Sequence, residues 1–368
     1  MTKVLMISAD EKVLQVESPV QARMKDYGSC FDELHIVVRS LKNPAITAAK
    51  ISIAPNTFAY PTQSAGKASY MKDIVRVGGE VIAQAGLSPK DSVITVQDPF
   101  VTGSAALALA KRSGLPLHVQ IHTDMYSPYF KDGFLNRFRI LMSGRVLRAA
   151  KAIRTVSERT RAGLPTALRA KSSVVPVYID LHEIRRAPIS VDLHQKYPQF
   201  EKIALMASRI TAEKDMPTAL RAFAKALADR SEAGLVIAGA GPELENIKSL
   251  VSRLGLDESV VFEPWTDHDT LVSYMKTCDV FMLSSLYEGY GMALLEAHAA
   301  GATIVSTDVG IAPLLAGEVC EPKDADAFAR SIVRAFSGEL RNKNYVYPYP
   351  SRAAYLAEHA KDIERALP

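Results

Sequence analysis

Short apolar runs alternate along the chain with stretches of helical spacing. The first, residues 3–8, is apolar for only four consecutive positions, Val4 to Ile7, before polarity returns. That is too short for the core of a signal peptide and reads as a buried strand. Runs at 34–38, 93–97, 117–121, 152–156 and 173–177 predict further strands. Residues 19–27 open on Pro19, 103–113 are rich in Ala and Leu, and 135–150 follow the same pattern. With a stretch capped by Ser157, these predict the intervening helices. Strands alternating with helices imply a parallel sheet covered on both faces. Residues 180–199 are polar, carry Pro188 and Pro198, and read as an interdomain connection. The alternation then restarts. Strands are expected at 203–207, 235–238, 260–262, 279–283 and 303–306, and helices at 216–229, 243–254, 269–276 and 292–300. Residues 341–350 interrupt the pattern with Asn and two prolines, and 351–367, capped by Ser351, predict a final helix. No short repeat or low-complexity tract appears.

A chain of 368 residues exceeds one typical domain, so two α/β domains are expected. Hydrophobic content of 48% with 23% charge is that of a globular protein with sizeable cores. No apolar run is long enough to predict a transmembrane helix. Cys30, Cys278 and Cys320 are far apart and in no metal-ligand spacing, so reduced thiols and a cytoplasmic setting are expected. Net charge is +4 but unevenly spread: residues 1–180 hold 24 Lys and Arg against 14 Asp and Glu, and the remainder 20 against 26. Residues 131–171 alone carry eleven basic side chains against Asp132 and Glu158. Two readings fit that stretch: a surface for anionic lipid or an acidic acceptor, peripheral on the inner face of a membrane, or a set of solvated helix faces. Nucleic acid is not expected, because no binding motif or aromatic platform accompanies the charge.

The chemistry concentrates in residues 279–300. An apolar strand, the turn Glu288-Gly289-Tyr290-Gly291 and an Ala/Leu-rich helix stopped by Gly301 follow one another. Such a turn aims free backbone N–H groups and the positive end of a helix dipole above the sheet, where an anion, most often phosphate, binds. Glu288 and Glu296 flank it with seven residues between them. Carboxylates accept two hydroxyl hydrogens each and suit the vicinal diols of sugars. Arg209 and Lys214, just after the first strand of the second half, read either as surface charges or as a forked and a compact cation able to bind phosphate.

The stretch from Ser284 to Ala297 resembles the signature of the glycosyltransferase family 4 enzymes, with Glu288 and Glu296 standing as that family's E-x7-E pair. The resemblance implies the GT-B fold: two Rossmann-like domains facing across a cleft, with the last helix crossing back to the N-terminal domain. Residues 1–180 with 351–368 would form the acceptor domain, and 181–350 the donor domain. It further implies a retaining transferase of the hexosyltransferase type, using a nucleotide sugar as co-substrate, with no metal or other cofactor. Ser208-Arg209-Ile210 and Glu213-Lys214 resemble the element that grips the diphosphate, with Ser208 in place of the usual Gly. Gly239 lies in a turn resembling G-x-G-P-E near the nucleotide, and Thr266 in a loop resembling the one that frames the base. Gly289, Tyr290, Gly291, Met292 and Leu295 complete the expected donor surface. His122 resembles the strand-end His that contacts the donor sugar, and Asp98 and Asp124 are its acceptor-side neighbours. The implied catalytic set is His122, Arg209, Lys214 and Glu288. Asp267-His268-Asp269 matches a D-x-D metal motif in form, but its position ahead of a helix marks it as a cap. A sugar phosphorylase of the same fold and a non-catalytic sugar-nucleotide binder are the alternative readings, and the acceptor is unassigned.

Overall fold

The computed structural model describes residues 2–228 and 232–368, so the expected helix end at Asp229 lies outside the described residues. The chain forms two compact units, one of Met1–Pro176 with Tyr349–Pro368 and one of Val177–Pro348.

In the first unit eight strands form one sheet: β1 Lys3–Ser8, β2 Glu33–Val38, β3 Ile51–Ala54, β4 Thr57–Pro61, β5 Ser92–Val96, β6 Leu117–Ile121, β7 Ala152–Thr155 and β8 Ser172–Val174. Their order is β3-β4-β2-β1-β5-β6-β7-β8. The pairings are parallel except β3 with β4, where the register shifts between Ser52 and Ala54. Val4 to Ile7 and Leu34, Ile36, Val37 and Val38 are fully buried, as strands covered on both faces require. No strand or helix was assigned above to residues 39–92, which hold β3, β4 and the helix Tyr70–Gln84.

The final helix, Arg352–Glu364, belongs to this unit and packs on its sheet through Tyr355, His359, Asp362 and Ile363. Polar contacts fasten it. His118 Nε2 on β6 lies 2.9 Å from Asp362 Oδ2, and Tyr27 and Tyr355 share a hydrogen bond of 3.1 Å. Arg154, at the centre of β7, is only 2% exposed and belongs to no basic surface. Its guanidinium donates to the carbonyls of Val175 and Pro176, to Gln120 Oε1 at 2.8 Å, and to His359 Nδ1 at 3.1 Å. Lys171 also leaves the expected basic surface, since its Nζ donates to the carbonyls of Arg148 and Ala150 at the end of helix Phe134–Ala149.

The second unit is a parallel sheet of six strands: β9 Lys202–Ala207, β10 Ala233–Ala238, β11 Val260–Glu263, β12 Val280–Leu283, β13 Thr303–Thr307 and β14 Val319–Cys320. The order β11-β10-β9-β12-β13-β14 reverses direction next to β9. In open α/β sheets ligands bind beyond the carboxyl ends of the strands at such a reversal. One core surrounds Phe223, Leu235, Ile237, Met282 and Phe328. Residues 181–199 are not a free connection. They form helices Leu181–Arg186 and Leu193–Lys196, and the Ser190 and Leu193 amides donate to Ser273 and Thr277 of helix His268–Thr277. Among the described residues no helix is long and apolar enough to cross a membrane.

Candidate active site

The loops after β9 and β12 are stitched together. Ser284 Oγ donates to the Lys214 carbonyl at 2.8 Å, and the Leu286 amide donates to the Glu213 carbonyl at 2.8 Å. This sets Lys214 Nζ 2.6 Å from Glu288 Oε1, with both side chains 15% exposed. Ser285 Oγ donates to the same oxygen at 2.8 Å. Oε1 is thus held by two donors, whereas among the described residues no donor reaches Oε2. The carboxylate therefore presents one fixed acceptor oxygen.

The turn after Glu288 is rigid. Gly291 has φ 93°, a conformation that favours glycine, and it opens helix Met292–Ala300. The Tyr290 carbonyl accepts from the Ile311 amide at 2.9 Å. Gly289, Tyr290 and Gly291 are buried, Met292 is exposed, and Leu295 is fully buried, so its side chain supports the helix from the core. One turn further on, burial raises the pKa of the half-buried Glu296, and the nearby His268 partly opposes that rise. Among the described residues its carboxylate accepts no hydrogen bond.

Arg209 lies on the same edge with its side chain 67% exposed, 3.3 Å from Glu213 Oε1. A pair this exposed is weak and leaves the guanidinium able to turn onto an anion. Gly239 follows β10 so closely that a Cβ there would sit 2.0 Å from the Ser208 carbonyl oxygen. Thr266 is half-buried in the loop after β11. Asp267 caps helix His268–Thr277, accepting from the Thr270 amide at 2.9 Å.

In the first unit, His122 and Asp98 line one small cavity of about 30 Å³ with Phe100 and Met125. Both Asp98 oxygens are engaged at the start of helix Val101–Ser113, one taking the Phe100 amide at 2.7 Å and the other the Thr102 hydroxyl. Burial raises the pKa of Asp124, against the lowering influence of Arg159. His122 is exposed at the end of β6, although protein packs around its ring. Burial, with the charges of Arg154 and Arg23, pushes its pKa down to about 3. Its Nε2 lies 3.3 Å from Gln120 Oε1, which also accepts from Arg154. Since that oxygen is acceptor-only, this contact assigns the proton to Nε2, and among the described residues Nδ1 has no partner.

Four contributors were not assigned from sequence. Ser285 and Glu213 lie inside the motifs already singled out. Thr211 Oγ1 is buried with no hydrogen-bond partner among the described residues, an orphan that a bound ligand could satisfy. Gln120 had a readable signal: with His118 it places polar side chains two apart in a strand otherwise apolar, beside a strand that contains Arg154.

This architecture is that of GT-B glycosyltransferases. Sucrose-phosphate synthase from Thermosynechococcus elongatus matches with a TM-score of 0.72 at 17% identity, over 100% of this chain and 94% of that one. Anabaena HepE in complex with UDP-glucose matches with a TM-score of 0.66 at 16% identity, over 100% and 96%. Residues 82–183 match the model described as Glycosyltransferase Family 4, and residues 193–349 that of Glycosyl transferases group 1. Together these two matches support a glycosyltransferase of the family 4 type. An uncharacterized glycosyltransferase of Methanocaldococcus jannaschii is 36% identical over 37% of this chain and 36% of its own length. Alpha-monoglucosyldiacylglycerol synthase of Streptococcus pneumoniae is 28% identical over 58% of this chain and 51% of its own length. The chain thus spans about half, or less, of the length of these relatives.

Proposed function

We propose that the protein is a retaining, metal-independent transferase that moves a sugar from a nucleoside diphosphate sugar to an acceptor hydroxyl. The observation that carries this is the cluster of Lys214, Ser285 and Glu288 beside the amino end of helix Met292–Ala300. Departure of the diphosphate builds charge on its terminal oxygens, and fixed cations there favour the transition state over the ground state. Lys214 spends one of its three protons on Glu288 and keeps the others for phosphate, while Arg209 adds a planar fork. The first-turn amides of the helix supply further positive potential. With this charge in place, no divalent ion is needed at the diphosphate.

Glu288 Oε2 would take a hydroxyl of the donor sugar, and Glu296 the ribose diol. With Oε1 fixed by Lys214 and Ser285, Glu288 is built to accept hydrogen bonds rather than to attack an anomeric carbon. That favours attack of the acceptor on the face that the leaving group vacates, with the acceptor proton passing to the departing phosphate oxygen. Surrounding protein and the charges of Arg154 and Arg23 lower the pKa of His122, so it would orient a hydroxyl through Nδ1 rather than carry its proton. HepE holds UDP-glucose in its solved structure, and the pneumococcal relative is named for a glycolipid product. These make UDP-hexoses and lipid hydroxyls the first candidates among donors and among glycan, lipid or small-molecule acceptors.

The test is release of nucleoside diphosphate across a panel of donors and acceptors, with anomeric assignment by NMR and a parallel series in chelator. Transfer with retained configuration, unchanged by chelator, is expected. Silence with every pair would sink the reading. An inverted product would remove retention, and loss in chelator would remove metal independence.

A further inference from the structure

Helix Phe134–Ala149 packs on its unit through Ser143, Val146 and Leu147. Its opposite face is apolar and uncovered. Phe134 is 83% exposed and Leu141 73%, and Leu135, Phe138 and Met142 are exposed beside them. At 100° per residue these five fall within an arc of about 120° over the first turns, centred away from the packed face. Single exposed apolar side chains need no explanation, but a contiguous group of this size marks a surface that meets something.

The charge around that face identifies what it meets. Arg137 and Arg148 flank the arc on one side, Arg139 flanks the other, and Arg145 follows on its own line one turn further on. The helix contains no acidic residue. All four arginines are exposed, and among the described residues Arg137 and Arg139 donate only to uncharged oxygens of Lys131 and Asn136. A second copy of this face would set four arginines against four, with no carboxylate on the helix to offset them. A layer of apolar chains beneath phosphate headgroups complements both features at once. Aromatic and aliphatic side chains enter the acyl boundary while arginines extend to the phosphates.

We propose that this helix docks the protein on an anionic bilayer, lying in the plane of the interface with Phe134, Leu135, Phe138, Leu141 and Met142 inserted. The basic stretch noticed in the sequence is only part of the device. Arg154 and Lys171 are withdrawn from it, and the exposed apolar side chains supply the rest.

The test uses the full chain and vesicle sedimentation. Wild type should pellet with vesicles of about three parts phosphatidylcholine to one part phosphatidylglycerol, and stay in solution with pure phosphatidylcholine. Leu135→Gln/Phe138→Gln/Leu141→Gln removes three insertions, spares the packed face, and should weaken partitioning at least about tenfold with an unchanged unfolding midpoint. Arg137→Glu/Arg139→Glu retains every apolar side chain and should lose the preference for anionic vesicles. Wild type left in solution with anionic vesicles, or a triple variant that binds as wild type does, overturns the proposal. So does a dimer in sedimentation velocity that the triple variant dissociates, since the face would then be a contact between copies.

Discussion

Glu296 sets stability against use within one side chain. Burial holds its pKa above the ordinary carboxylate value, so the folded chain binds the proton more tightly than the unfolded chain. Stability therefore falls as pH rises from the unfolded value of about 4.3 through the raised one, and the penalty persists at neutral pH. Glu296→Gln should raise the unfolding midpoint at pH 7 and weaken nucleotide binding, read by calorimetry. A lower midpoint would mean that the carboxylate already has a stabilising partner. Arg209 offers the opposite separation. Its exposed pair with Glu213 contributes little, so Arg209→Ala should change stability by less than about 0.5 kcal/mol. It should nonetheless lower kcat/KM at least about a hundredfold, as should Glu288→Gln. Wild-type turnover in both variants would remove them from the reaction. The strand, turn and helix that carry Glu288 and Glu296 were legible because they are contiguous in sequence. The coupling of Glu288 to Lys214 was not, since the partners are 74 residues apart and meet only once β9 and β12 pair.

At the scale of elements, long alternating runs were legible and irregular ones were not. β1, β6 and the helix Met292–Ala300 lie where the apolar pattern puts them. β3 is a short strand at the sheet edge with a shifted register, and its residues are at most half-buried, so it lacks the apolar signal of a covered strand. The helix Tyr70–Gln84 contains Gly78 and Gly79, which weaken helical propensity; a Cβ at Gly78 would lie 2.6 Å from a terminal methyl of Leu109, which would have to shift. The helix Ala325–Phe336 differs, since Phe328, Ile332 and Phe336 recur at helical spacing behind a capping Asp324, and its signal is in the sequence although no element was assigned there. The final helix was readable as a helix, but its buried polar face was not. Burial alone would raise the pKa of Asp362, but bonds from His118, Ser173 and Arg365 outweigh it and bring the pKa to about 2. That contribution is present above the unfolded value near 3.9 and is lost as pH falls through about 2. Asp362→Ala should cost about 3 kcal/mol in denaturant titration at pH 7, and hydrogen exchange should speed first in Arg352–Glu364. Equal stability would mean that the helix is held without the Asp362 carboxylate, by its apolar contacts and the bonds of Tyr355 and His359.

For the whole molecule, the two units are not both continuous in sequence. The first unit is split, and its last part follows all of Val177–Pro348. Removing residues 349–368 takes from Arg154 its contacts to His359 and Tyr355, and from His118 its carboxylate. Chains ending at Pro348 should therefore lose the cooperative unfolding of the first unit in calorimetry while the second still melts as a unit. A retained first transition would show that the remaining bonds of Arg154 to Gln120, Val175 and Pro176 suffice. Because a ribosome emits the chain from its amino end, β1 to β8 leave the tunnel with a charged guanidinium in mid-sheet and no terminal helix over it. The whole second unit must then be synthesised before the covering segment arrives. During that interval the earlier-made half is the less finished one. Substitutions that slow synthesis between residues 177 and 348 should lower the yield of folded protein through the first unit, although they lie in the second.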